Sequence, residues 1–269
     1  MKKAIVISCV VILVLLTDGC SVPGQPSDSY EETSPTPVSK ETLEILRSVR
    51  TSDISDALDS MGLQGRYQMD PAMRPLYPGI RFAGIAHTAE YDLIDKPLPS
   101  MPYGEFDRSQ YGGPKPIWKE AGVWGGPDQV LVIDAKRTVA GILGSANTLQ
   151  GRAKGTVGYV IDGTIRDSYE CIIQKTPGFC TVRSPAHPMG RLIAVSSNEP
   201  IICAGVKVRP GDVIAADDDG VMVVPQAIAD EVARRARLIQ DKDRPGRREN
   251  YKKLGLPLDE TVQQTSLSN

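Results

Sequence analysis

Apolar residues recur along this chain with two periods. Between Lys40 and Gly62 they follow the helical one: Leu43, Ile45, Leu46 and Val49 form a first short amphipathic segment, and Ile54, Ala57, Leu58 and Met61 a second. Thr51 or Ser52 is suited to cap the second helix, and Gly62 to close it. From Pro78 to Tyr91 the pattern alternates around Ile80, Phe82, Ile85 and Ala89, predicting strands with a glycine bend at Gly84. Val130 to Asp134 and Val139 to Leu143 are β-branched runs flanking a turn with Lys136 and Arg137. Next comes a short helix with Ala146, Leu149 and Ala153 on one face, then a buried strand, Val157 to Ile161, ended by the turn signal Asp162-Gly163. Ser168 to Lys175 reads as helix and Phe179 to Arg183 as strand. The β-segments Leu192–Val195, Ile201–Val208, Val213–Ala216 and Val221–Val224 follow, and Pro225 ends the last of them. A helix from Gln226 to about Asp241 is apolar at Ile228, Val232, Ala236 and Ile239, and the polar tail 244–269 is expected to be loosely ordered. The pattern is mixed α/β.

At 269 residues with 41% hydrophobic content, the chain can bury a sizeable core. A formal charge of −2 and 5% aromatic residues argue against a nucleic-acid-binding surface. The first twenty residues read as a targeting segment. Lys2 and Lys3 precede an apolar stretch from Ala4 to Leu16, too short to span a bilayer comfortably, and Gly19-Cys20 resembles a bacterial lipoprotein cleavage box. The expectation is an exported protein anchored to the membrane only through lipid on Cys20, facing the periplasm or the cell exterior, with ordinary secretion, a mistaken start codon or an uncleaved anchor as the alternatives. Residues 21–39, rich in Ser, Pro and Thr, read as a tether, and 40–243 as the globular domain. The stretch 92–126, with many prolines, both Trp residues, Tyr103 and Tyr111, reads as a packed surface loop or a lid over the site.

The chemistry concentrates between Gly144 and Asp167, GSANTLQGRAKGTVGYVIDGTIRD. A strand, a glycine turn and a helix N-terminus present backbone N–H groups suited to a carboxylate. Where the next strand ends close by, Arg166 can clamp a planar carboxylate with two parallel hydrogen bonds, and Asp167 can offer oxygen to a hard cation such as Mg²⁺. An Arg-Asp dipeptide by itself is more often an ordinary exposed pair.

Gly144, the Arg166-Asp167 pair with twenty residues between Ser145 and Arg166, and the core GYVIDGTIRD resemble the signature of the RraA-like family. Thr51 to Leu58 is similar to the early helix of that family, and Val208–Asp212 through Ala216–Val221 to its late β-segment, so the resemblance covers roughly residues 40–240. The family includes class II 4-hydroxy-4-methyl-2-oxoglutarate aldolases, which also decarboxylate oxaloacetate, and the ribonuclease regulators that give it its name. The resemblance implies a swivelling β/β/α domain with a mixed central sheet flanked by helices, assembled as a homotrimer or hexamer with sites at subunit boundaries. It also implies a lyase acting on a small oxo-acid through a pyruvate enolate stabilised by Mg²⁺ or Mn²⁺. Asp167 would hold the metal, Arg166 would bind the substrate carboxylate and stabilise the enolate, and Gly144, Ser145, Ala146 and Asn147 would bind substrate through their backbone.

The sequence departs from this pattern at Ser145, where the aldolases usually carry Asp or Glu helping to hold the metal's water shell. A serine accepts a hydrogen bond from such a water but brings no charge, which predicts weaker Mg²⁺ binding, with Asn147 a partial compensation. The regulators lack the acidic residue after the arginine, so Asp167 favours the enzyme, and an exported chain would not meet a cytoplasmic ribonuclease. A protein that binds a partner, or an oxo-acid without turnover, is the alternative.

The remaining candidates read as structural. Cys171, Cys180 and Cys203 have no repeated spacing and are expected to be buried free thiols, with a Cys180–Cys203 disulfide as the other possibility. His87 and His187 have no ligand at metal spacing, Lys154 reads as an exposed helix lysine, and Asp217-Asp218-Asp219 as a solvated turn.

Overall fold

The computed structural model describes residues 36–100 and 125–263. The expected leader, most of the tether and the greater part of the 92–126 stretch lie outside the described residues. In chain order the elements are α1 (Lys40–Ser48), α2 (Thr51–Asp59), β1 (Arg74–Pro75), β2 (Phe82–Leu93), β3 (Gln129–Asp134), β4 (Gly141–Leu143), α3 (Ser145–Ala153), β5 (Gly158–Ile165), α4 (Ser168–Ile173) and β6 (Gly178–Val182). They continue with β7 (Leu192–Ser197), β8 (Ile201–Cys203), β9 (Val206–Val208), β10 (Val213–Asp217), β11 (Gly220–Val224) and α5 (Ala229–Leu254).

Among the described residues nine strands form one mixed sheet in the order β1-β6-β5-β3-β2-β10-β11, with β4 beside β5 and β7 beside β2. Parallel pairs run through its middle, β2 to β3, β3 to β5 and β5 to β6, and antiparallel pairs lie on either side. Parallel strands must be covered on both faces, and every residue of β5 and the stretch Val130–Asp134 of β3 are buried. On one face α1, α2 and α5 bury Leu46, Ile54, Leu58, Val232 and Ala236 against Ala83, Val213 and Val224. On the other, Phe82 meets Phe179 edge to face at 5.7 Å between ring centres.

Several local expectations are corrected by tertiary context. Asp162-Gly163 is not a turn, because β5 runs through it to Ile165 with a register shift against β6 between Ile161 and Thr164. A buried carboxylate there needs partners, since an unmet acceptor costs about 1–3 kcal/mol. Asp162 receives the Thr181 hydroxyl at 3.0 Å and the Ala204 amide at 2.9 Å. Gly84 is no bend either: β2 is continuous through it, and a Cβ would lie 2.6 Å from the Asp128 carbonyl oxygen and 2.7 Å from Val157, so close packing excludes a side chain. The segment around Val139 enters the sheet only at Gly141, with Val139 exposed, and Ile201–Val208 is a hairpin of two strands turning at Ala204-Gly205.

The helix caps differ as well. Thr51 is the first residue of α2 rather than its cap, and the acceptor comes from far along the chain: Asp217 takes the Thr51 amide at 2.9 Å and its hydroxyl at 2.5 Å. Asp218 accepts the Gly79 amide at 2.9 Å, so two members of the expected solvated turn tie distant segments together. The last helix does not stop near Asp241 but continues to Leu254 and closes on Gly255 in the left-handed region. Arg244, with only 9% of its surface exposed, is held by Gln240 at 2.8 Å and Asp241 at 2.9 Å, which orders the first part of the expected loose tail. No helix among the described residues is long and apolar enough to cross a membrane. Cys171, Cys180 and Cys203 are free and buried.

Replacing Asp217 by Ala leaves the Arg50–Asp53 capping box but removes the acceptor of the Thr51 amide and hydroxyl, and the expected loss is about 1–2 kcal/mol of unfolding free energy. Urea denaturation followed by circular dichroism should show a lower midpoint with unchanged slope.

Candidate active site

The site forms where two neighbouring parallel strands end. β4 pairs with β5 through Gly141 opposite Thr164 and Leu143 opposite Ile165, and the Arg166 amide donates to the Leu143 carbonyl at 2.9 Å. This sets Gly144 and Ser145, which open α3, directly against Arg166 and Asp167, which lead into α4. The two halves of the central motif therefore meet as expected, although the connecting strand is longer than predicted.

Glycine is required at two points of this junction. A Cβ at Gly141 would lie 2.8–2.9 Å from three carbons of the Arg166 side chain. A Cβ at Gly144 would lie 2.2 Å from Asp167 Oδ2, so any side chain there would displace the carboxylate. Asp167 has φ 56° and ψ 37°, a left-handed conformation that Asp tolerates at a cost and that is concentrated at functional sites.

The polar contacts centre on Ser145. Its amide donates to Asp167 Oδ2 at 3.3 Å, and its hydroxyl donates to a carboxylate oxygen of Glu170. The first N–H of α3 thus points to the protein's own carboxylate. Arg166, one third exposed, holds its Nε 3.8 Å from Asp167 Oδ2, beyond hydrogen-bond range, so that nitrogen is not committed to the neighbouring acid. Ser145 is buried, Asn147 half-buried, and Ala146 exposed.

Beneath these groups lies a buried polar layer. Tyr159 donates its hydroxyl to the Thr148 carbonyl at 2.6 Å, and Thr148 donates to the Ser145 carbonyl at 3.0 Å. Burial raises the Tyr159 hydroxyl pKa well above its ordinary value, so it stays a donor. Burial likewise raises the Cys171 thiol, and the Asp167 and Glu170 carboxylates add to that shift. The buried face of α3 is therefore Ser145, Thr148 and Gly151, while Ala146, Leu149 and Ala153, expected to share a face, are all exposed. Small residues are what fit where α3 lies close to the strand ends.

Glu170 was not among the residues singled out in the sequence. The available signal was its spacing of three from Asp167, which puts both acids on one side of the first turn of α4. The other candidates are structural. Lys154 is exposed at the end of α3, the His187 ring accepts the Met189 amide at 3.2 Å, and burial lowers the pKa of His87. A cleft of about 230 Å³ lined by Thr51, Ser52, Ser55, Asp56 and Asp219 involves none of the Arg166–Asp167 groups.

The structure places one arginine, Arg166, and two carboxylates, Asp167 and Glu170, at the ends of neighbouring parallel strands of a mixed α/β sheet. The family model RraA-like, described as Aldolase/RraA, matches residues 51–223, and the chain belongs to that family. A relative from Halalkalibacterium halodurans, named "Putative 4-hydroxy-4-methyl-2-oxoglutarate aldolase", is 32% identical over 210 residues, covering 73% of this chain and 82% of its own. Among solved structures, Streptomyces coelicolor RraAS2, described as an unusual member of the RNase ES inhibitor RraA protein family, has a TM-score of 0.64 at 26% identity, covering 78% of this chain and 98% of its own. An uncharacterized protein from Pseudomonas syringae pv. tomato has a TM-score of 0.63 at 27% identity, covering 85% of this chain and all of its own. These likenesses bear out the expected family and fold.

Gly144→Ala should leave the fold intact and displace the Asp167 carboxylate, which its Cβ would meet at 2.2 Å. The expected result is a melting temperature within a few degrees of wild type, with a crystal structure of the variant showing the Asp167 carboxylate moved off the Ser145 amide. An unmoved carboxylate in this variant would contradict the packing argument.

Proposed function

We propose that this protein is a divalent-metal-dependent carbon–carbon lyase acting on a pyruvate-containing oxo-acid. The reaction is retro-aldol cleavage of 4-hydroxy-4-methyl-2-oxoglutarate, decarboxylation of oxaloacetate, or both. The observation that carries this reading is the Asp167 carboxylate seated against Gly144, with the uncommitted Arg166 Nε beside it. The relatives named as aldolases support the same reaction class.

The donors fit a hard cation. Mg²⁺ is commonly held by one or two carboxylates while keeping several waters, and Asp167 is 38% exposed with a side-chain cradle that only glycine leaves open. When bound, Mg²⁺ or Mn²⁺ supplies Lewis-acid stabilisation of the charge that cleavage leaves on the 2-oxo fragment. The chain's own residues do the rest. Asp167 holds the cation directly or through water. Arg166 clamps the substrate carboxylate with paired N–H groups and orients it. In the retro-aldol direction the 4-hydroxyl loses a proton, the C3–C4 electron pair passes to the pyruvate fragment, and C3 takes up a proton. Arg166 stabilises the charge on that fragment, while the opening turn of α3 at Gly144–Asn147 borders it.

The reading extends to assembly as a homotrimer or hexamer. Leu149, Tyr169 and Ile173 are 44%, 78% and 62% exposed on the two helices that border the site, an apolar surface that a second copy would cover. Sedimentation velocity should give a mass of three or six chains, and a monomer would remove this part of the proposal.

The second reading is a member that binds a partner or an oxo-acid without turnover. The likeness to RraAS2 and the uncharged side chain at Ser145 favour it. Pyruvate release from the two substrates, with Mg²⁺, with Mn²⁺ and with EDTA, separates the readings. The lyase predicts metal-dependent release above the metal-only background. Asp167→Ala should abolish it, and Arg166→Ala should lower it by roughly 10²–10³-fold, the equivalent of about 3–4 kcal/mol of barrier. Folded protein inactive with both metals would favour the binder.

A further inference from the structure

Ser145 binds two carboxylates at once. Its amide reaches Asp167 Oδ2 at 3.3 Å, and its hydroxyl donates to Glu170 Oε2. Because α3 and α4 both start at this junction, one residue sets the separation of the two acids, and the Ser145 hydroxyl uses only one of the two Glu170 oxygens. We infer that Glu170, positioned by the Ser145 hydroxyl, is the second carboxylate of the cation site, acting on the bound cation directly or through its water. This inference rests on the metal-dependent reading above.

Charge separates this pair of acids from the others near the strand ends. Glu90 and Asp134, in register on β2 and β3, share the ammonium of Lys136, which lies 2.8 Å from Glu90. Asp70 and Asp162 share the Arg137 guanidinium, at 2.5 and 3.5 Å. Those acids are neutralised within the fold. Among the described residues no Lys or Arg pairs with Glu170, and Arg166 approaches Asp167 only to 3.8 Å. Two carboxylates held on one serine with a single loose arginine leave net negative charge, which a divalent cation offsets. Both acids are exposed, so a cation entering from solvent reaches them without rearrangement of the fold.

The structure also supplies a clean variant. Glu170→Gln keeps an oxygen to accept the Ser145 hydroxyl and removes only the charge. Mn²⁺ binding is measured by isothermal titration calorimetry, with free Mn²⁺ counted by electron paramagnetic resonance, on wild type, Asp167→Asn, Glu170→Gln and Ser145→Ala. Thermal unfolding of each variant confirms folding. The expected result is binding by wild type, loss in Asp167→Asn, and weakening by about ten-fold or more in Glu170→Gln, the usual scale for a group that supports a metal ligand. Ser145→Ala, which frees the Glu170 side chain without removing its charge, should weaken binding by less. Wild-type affinity in Glu170→Gln, with Asp167→Asn defective, would overturn this inference and leave the metal site standing. Wild-type affinity in Ser145→Ala would overturn the positioning role of the serine. Absence of Mn²⁺ binding in folded wild type would overturn the metal reading itself and this inference with it.

Discussion

The pairing of β4 with β5 is the constraint on which the site depends. Three residues of β4 lie parallel to the end of β5, and the hydrogen bond from the Arg166 amide to the Leu143 carbonyl locks the two chain exits side by side. A one-residue slip would turn Arg166 and Asp167 to the opposite faces of the strand end. The buried residues of β3, β5 and β6 hold that register through a parallel ladder with both faces covered. Gly141 and Gly144 then admit the Arg166 side chain and the Asp167 carboxylate into space that any other residue would fill.

From this junction the chemistry follows by subtraction. Most acids near the strand ends already have a cation inside the fold, and most buried polar atoms a hydrogen-bond partner. Among the described residues the Asp167–Glu170 pair around Ser145 has no closer cation than the Arg166 Nε, 3.8 Å from Asp167. In the lyase reading proposed above, that combination would serve a small oxo-acid together with a hard divalent ion, and several members of the RraA-like family are named as aldolases. The serine at 145 is then no simple loss of a charge. Its hydroxyl orients an acid that stands three residues after Asp167.

Much of this was legible in the sequence, and the failures share a cause. The continuous Val/Ile runs of β3 and β5 and the amphipathic repeats of α1 and α2 follow from local pattern, and the meeting of Gly144 with Arg166-Asp167 was implied by the resemblance to the RraA-like signature. Asp162-Gly163 misleads because a turn signal is overridden when the Ala204 amide and the Thr181 hydroxyl satisfy the carboxylate inside a strand. Which face of α3 turns inward is not legible from apolar content, because Thr148 and Gly151 pack inward while Leu149 is left outside. The acceptor of the Thr51 amide at the start of α2 is Asp217, 166 residues away. Glu170 takes its meaning from Ser145, 25 residues earlier. No local window contains either pair.

The account's central claim is that one divalent ion and one substrate carboxylate meet at this junction. The most direct test is a crystal structure of the protein grown with Mn²⁺ and oxalate, a stable mimic of the pyruvate enolate, with the metal located by its anomalous scattering. The account predicts a single Mn²⁺ peak at the Asp167 carboxylate, with oxalate bridging it to the Arg166 guanidinium. An ordered junction with neither metal nor oxalate, or a Mn²⁺ peak at a distant cluster such as Asp217–Asp219, would contradict it.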